Sequence, residues 1–295
     1  MQLTPRYGSA PVITLDGPPS AIVEPATRQR HRLVDAMAAF GDRDWAHPSR
    51  CDGWTNRDVI VHLDGTNAFW AFSITAALQG EPTRFLANFD PVASPAELVA
   101  GSHGIPNSQV MDQFQASTTA LVDLLSSLDE ASWSELAEAP PGHISVSAVV
   151  HHALWDSWIH ERDILLPLGV TTTEEPDEIT ACLRYAAALA PALSITQGST
   201  RRGLLNVVAT GLQPSTDLPT NDPIDRSSDL RIIVEIGDCA AVTSGGSARA
   251  DLTLTGDAVE LLEAFSIRRP LDHAVPADSA WMIAGISEIF EVDPS

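Results

Sequence analysis

Lysine is missing from all 295 positions, so every one of the 17 cationic side chains is arginine. That absence excludes Schiff-base catalysis through a lysine amine. Positive charge is scarce altogether, because 39 acidic residues outweigh the arginines and leave a formal charge of -22. Such a surface repels nucleic acid, anionic membrane and phosphate-rich partners, and an anionic substrate would need a local arginine cluster. Cysteine occurs only at Cys51, Cys182 and Cys239, with no CxxC spacing. This pattern fits free or buried thiols in a reducing compartment and does not fit a disulfide framework. Long apolar runs are also lacking. The first residues carry Arg6, Pro11 and Pro18 in place of an apolar signal segment, and no later stretch reads as the roughly 20 residues a membrane span needs. A soluble, cytoplasmic protein, a monomer or small homo-oligomer, is expected.

What is present suffices for more than one core. At 295 residues and 44% hydrophobic content the chain exceeds what a single core supports, so two domains are expected. Residues 1–20, rich in Pro, Gly and polar residues, read as an extended arm. A helical period begins near Ala21, with Leu33, Met37 and Phe40 in step and Gly41 as a stop. A loop with Trp45 and Trp54 follows, and Thr55 and Asp58 form a capping box opening a helix to Gly80. Positions 81–106 read as a long loop with one short helical turn at Pro95–Gly101, and Arg84 is its cation. A third helix runs from about Ser108 to Leu128, a connector ends in Pro140-Pro141-Gly142, and a fourth helix spans about Ser145–Leu166. Four long amphipathic helices make residues 21–170 a helical bundle.

The pattern then changes. Residues 171–201 read as a linker and a helix from about Asp177 to Leu193, and residues 202–295 as a separate small α+β domain. Its strands are expected at Leu204–Ala209, Leu230–Ile236 and Ala250–Thr255 in a mainly antiparallel sheet, with turns at Gly211, Gly237 and Gly245-Gly246. Short helices are expected at Gly256–Phe265 and Ser279–Phe290. The fold class is thus α plus α+β.

The chemistry concentrates in the fourth helix. His152, Asp156 and His160 are spaced by four, so they stack on one face, and burying that row is costly unless each group is paired or ligates a metal. His152 and His160 lie about 12 Å apart along the axis, given a 1.5 Å rise per residue. Donors on one zinc lie within roughly 3.5 Å of each other. One ion can therefore take Asp156 with His160, or His152 with Asp156, and not all three. His62, beside the apolar positions Val59 and Leu63 in the second helix, is the best third donor. A His, carboxylate, His set leaves a coordination position open for water or substrate. The plainer alternative is a pair of hydrogen-bonded core histidines with Asp156 ion-paired to an arginine.

Trp54-Thr55-Asn56-Arg57-Asp58-Val59-Ile60-Val61-His62-Leu63 resembles a signature of the DinB-like superfamily, in its mycothiol-dependent maleylpyruvate isomerase and mycothiol S-transferase branch. Asp156-Ser157-Trp158-Ile159-His160 is similar to that branch's second signature, and the region after Arg202 resembles its sterol-carrier-like C-terminal domain. The resemblance implies a divalent metal, usually zinc, on His62, Asp156 and His160, with mycothiol as cosubstrate. A metal-held thiol is deprotonated and strongly nucleophilic at neutral pH. It can add to an activated double bond and leave, as in a cis-trans isomerase, or displace a leaving group and stay, as in an S-transferase. The branch commonly has Glu where this chain has Asp156.

The partners expected are therefore a small-molecule thiol and a small electrophilic or acidic substrate. Arg84, Arg231 and Arg249 are candidates for holding that substrate, the last two from the second domain, and His152 for supporting the metal site or shuttling protons. Trp54 and Trp158 are candidate walls of the thiol pocket, and Asp163 is expected to pair with Arg162 or Arg57. Rival functions are a metal-dependent hydrolase that needs no thiol and a non-catalytic ligand-binding or metal-sensing protein.

Overall fold

The computed structural model describes residues 3–212, 229–244 and 249–291, in two compact units. The first comprises residues up to Pro11 together with Gly17–Thr173, and the second comprises Val12–Asp16 together with Glu174 onward. The N-terminal arm is therefore not one body. Its strand β1 (Ile13–Leu15) pairs within the second unit, while Arg6 bridges to Gly142 in the first.

In the first unit α1 (Val23–Ala38) and the short α2 (Asp42–Trp45) precede α3 (Asn56–Leu78). Then come α4 (Ala93–Gly101), α5 (Asn107–Ser127), the hairpin β2 (Leu136–Ala139) and β3 (Gly142–Ser145), and α6 (Val146–Leu165). The four long helices close a ring, since α1 and α3 each pack on both α5 and α6. Leu33, Met37, Val59, Ile60, Leu63, Phe114 and Ile164 meet in one buried cluster, the inward stripe that a 3.6-residue period produces.

Local signals set the helix starts. Thr55 accepts from the Asp58 amide at 3.3 Å while Asp58 Oδ2 accepts from the Thr55 amide at 2.9 Å, which starts α3 and puts His62 in its second turn. Ser145 Oγ takes the Ala148 amide at 3.2 Å and starts α6. Several charged groups inside the bundle are paired. Arg32 grips the buried Glu161 with two 2.8 Å bonds, and the buried Arg30 reaches Asn67 Oδ1 at 3.3 Å and the Ala153 carbonyl at 2.9 Å.

Two expectations for this unit need correction. The connector after α5 contains the hairpin, pinched at Gly142, whose φ of +116° and close approach to the Arg6 backbone leave no room for a side chain. The helical turn in the long loop is the nine-residue α4. Four-residue strands are too short for their alternation to stand out in sequence.

The second unit contains α7 (Pro176–Thr196), β4 (Gly203–Thr210), β5 (Leu230–Ile236), β6 (Ala240–Thr243), β7 (Leu252–Asp257), α8 (Ala258–Phe265) and α9 (Gly285–Phe290). Its sheet has the order β1-β6-β5-β4-β7. The two inner pairings are antiparallel and the two outer ones, β1 with β6 and β4 with β7, are parallel. The sheet is thus mixed, where a mainly antiparallel one was expected. Edge partners distant in sequence, above all β1, cause the difference. The expected turn at Gly245-Gly246 lies outside the described residues. By length and composition α7 can cross a membrane, contrary to the sequence reading, but 78% of its apolar window is buried in the protein, as in a core helix.

Candidate metal centre

His62 from α3 and Asp156 and His160 from α6 converge. Their candidate ligand atoms all lie within 4.8 Å of one another. Asp156 Oδ1 sits 3.7 Å from His62 Nε2 and 3.6 Å from His160 Nε2, and the two imidazoles meet edge to face with centroids 5.0 Å apart. The second oxygen, Asp156 Oδ2, is buried and has no hydrogen-bond partner. A buried carboxylate oxygen left this way costs about 1–3 kcal/mol or more unless something satisfies it. Two imidazole nitrogens and a half-satisfied carboxylate are a donor set that a divalent cation completes. The fit to such an ion is therefore good.

His160 is held from behind. Its Nδ1 lies 3.0 Å from Asp163 Oδ2 and 3.5 Å from Cys51 Sγ, and the Cys51 thiol donates to the same carboxylate oxygen at 3.2 Å. Arg50 Nε donates to Asp163 Oδ1 at 3.0 Å, and the Arg50 amide donates to the Asp163 carbonyl at 3.0 Å. Cys51, His160 and Asp163 form a second cluster of metal-competent groups. Its atoms are already hydrogen-bonded to one another, and Arg50 places a positive charge on its carboxylate, so the cluster at Asp156 is the better cation site.

The electrostatics follow from this packing. Burial works against charge on His160, yet Cys51, Asp163 and Asp156 outweigh it and push its pKa up to about 10. Asp156 is likewise opposed by burial, but His62, with His160 and His152, holds it well below the usual carboxylate range. His152, buried one turn away with its ring between Trp70 and Trp155, is pushed down to about 4 by burial, with His62 adding to the effect.

Residues 26–165 match the family described as mycothiol maleylpyruvate isomerase N-terminal domain. Over that stretch the chain is similar to this isomerase-family domain. The fold extends the likeness beyond it. A solved structure of a mycothiol-dependent maleylpyruvate isomerase superposes with a TM-score of 0.58 at 16% identity, over 88% of this chain and 96% of that one. A histidine-to-alanine mutant of that enzyme gives 0.57 at 16% identity, over 86% and 90%. No curated protein matches the chain.

The other expected residues separate. Trp54 packs its ring 5.5 Å from that of His62, beside the cluster. Trp158 is 1% exposed and lies under the Arg162 guanidinium, 4.9 Å from its ring centroid. It stands two residues from both Asp156 and His160, about 200° around a helix of 3.6 residues per turn, and is buried in the core. Arg84 is exposed over the Tyr7 ring at 5.4 Å and is not among the donors gathered at Asp156. Arg231, on β5, and Arg249 are exposed residues of the second unit. Asp163 pairs with Arg50, where Arg162 or Arg57 was expected. Arg162 donates to Thr172, and Arg57 to Ser102 and the Ile105 carbonyl.

Sequence reasoning missed Arg50 and Cys51. Both sit in an irregular loop, where no periodicity marks which side chains turn inward. Asp163 carried a usable signal, its place three residues after His160 on the same helix face.

Proposed function

We propose that the protein is a mycothiol-dependent metalloenzyme acting on a small electrophilic or acidic substrate, as a cis-trans isomerase or a mycothiol S-transferase. The observation that carries the reading is the His62, Asp156 and His160 cluster, with its orphaned Asp156 oxygen, inside a mycothiol maleylpyruvate isomerase N-terminal domain. A divalent cation there, most simply zinc, would act as a Lewis acid that keeps a thiol sulfur ionised at neutral pH.

The chain's own groups have definable tasks. His62 and His160 present Nε2 from two different helices, so a ligand set exists only when α3 and α6 are packed. Trp54 packs its ring beside His62. His152, neutral at pH 7, adds no competing charge beside the site. Arg84 is the cation we assign to an acidic substrate, and a reducing cytoplasm, where a low-molecular-weight thiol persists, is the setting proposed. Asp156 is one methylene shorter than the usual glutamate, which fits a substrate other than maleylpyruvate.

The test is mass spectrometry of products after incubating the zinc-loaded protein with mycothiol and a panel of unsaturated carboxylic acids and alkylating electrophiles. An isomer of unchanged mass identifies the isomerase, and a stable conjugate the transferase. Turnover that persists without any thiol would overturn the reading in favour of hydrolysis.

A further inference from the structure

We infer that Asp163 is a positioning residue that holds both histidines of the candidate metal centre, His160 directly and His62 through the loop at residues 49–54. The inference rests on the metal assignment made above. His160 offers two ring nitrogens, and its Nε2 faces Asp156 and His62. For that nitrogen to present a lone pair to a cation, a neutral ring must carry its proton on Nδ1. Asp163 Oδ2, 3.0 Å away and wholly buried, is an acceptor placed for that proton, so the ring is fixed in one tautomer and one orientation.

The same carboxylate fastens the loop. Cys51 donates its thiol to Oδ2 at 3.2 Å and Arg50 donates Nε to Oδ1 at 3.0 Å, while the Arg50 amide reaches the Asp163 carbonyl at 3.0 Å. Ser49 Oγ then bonds the Trp54 carbonyl at 2.8 Å, and the Trp54 amide donates to the Cys51 carbonyl at 3.0 Å. This closes a tight turn that delivers the Trp54 ring against His62. The donors just described thus belong either to His160 or to the loop that packs the other histidine. An ordinary structural ion pair would need only Arg50.

The test uses the full-length protein. In the zinc-loaded wild type, two-bond proton–nitrogen correlation spectra of histidine-labelled protein should show His160 bound through Nε2 and protonated at Nδ1, and binding through Nδ1 would overturn the inference. Asp163→Asn keeps the shape but cannot accept from His160, Cys51 and Arg50 together. It should weaken Co²⁺ binding by about 10–100-fold in a chelator competition and alter the cobalt visible spectrum. Arg50→Gln, which leaves the bond to His160, should weaken it by less than about threefold, well short of that range. Equal losses in the two variants would mean a merely structural staple, and wild-type affinity in Asp163→Asn would refute the positioning role. Failure of the wild type itself to bind zinc or cobalt would instead remove the metal assignment, and this inference with it.

Discussion

Asp156 uses one oxygen toward two histidines and leaves the other buried and unbonded, and that asymmetry distinguishes it from a salt-bridge carboxylate. Glu161, five residues on, shows the contrast: both its oxygens are taken by Arg32, and Gln29 adds a third bond. Removing a donor from the first group should cost metal, whereas disturbing the second should cost stability. His62→Ala is expected to lose stoichiometric metal in elemental analysis of the purified protein. Glu161→Ala should keep the metal but lower unfolding stability by about 2–3 kcal/mol, through Arg32 and Gln29 left without their acceptor. Metal retained at wild-type stoichiometry in His62→Ala would refute its role as a donor. Asp156 and His160 were legible in sequence because spacing by four on a helix predicts a shared face. Arg50 and Cys51 were not, because a contact spanning more than 100 residues from an irregular loop leaves no local pattern.

At the level of elements, α3 and α6 bring the donors together, and their starts are written locally in the Thr55–Asp58 box and the Ser145 cap. The hairpin before α6 is different in kind. Gly142 carries φ +116°, and a Cβ there would lie 2.2 Å from the Arg6 carbonyl oxygen, a contact made with the N-terminal arm. Gly142→Ala should therefore destabilise the first unit by about 1–3 kcal/mol from backbone conformation alone, with a further loss as the arm is pushed away. Chemical denaturation measures this, and an unchanged midpoint would contradict the packing described. The mixed sheet carries the same lesson, since β1 pairs with β6 across more than 200 residues of chain.

For the whole molecule, the two buried histidines pull stability in opposite directions with pH. The folded pKa of His160, about 10, lies above its unfolded value of about 6.5, so its contribution is complete below about pH 6.5 and drains away as pH rises toward 10. His152, held near 4, stays neutral in the fold, so its contribution is present above about pH 6.5 and is lost as pH falls toward 4. The metal-free protein should therefore be most stable near pH 6.5, and its Tm should decline on both sides. Saturating zinc, which takes the place of the His160 proton, should flatten the alkaline decline. Scanning calorimetry between pH 4 and 10 checks both, and a Tm that rises steadily from pH 6.5 to 9 would sink the assignment of charge at His160.

The sequence by itself determined the long helices, the Thr55–Asp58 cap, the change from a helical to an α+β pattern, and the stacking of His152, Asp156 and His160 on one helix face, because all of these rest on interactions within a few residues of chain. Only the tertiary structure decided that the sheet is mixed, that Trp158 belongs to the core, and that Arg50 and Cys51 stand behind His160. Those outcomes depend on which faces meet after the chain has closed loops of a hundred residues or more, and a closure of that length costs entropy without leaving any periodicity in the sequence.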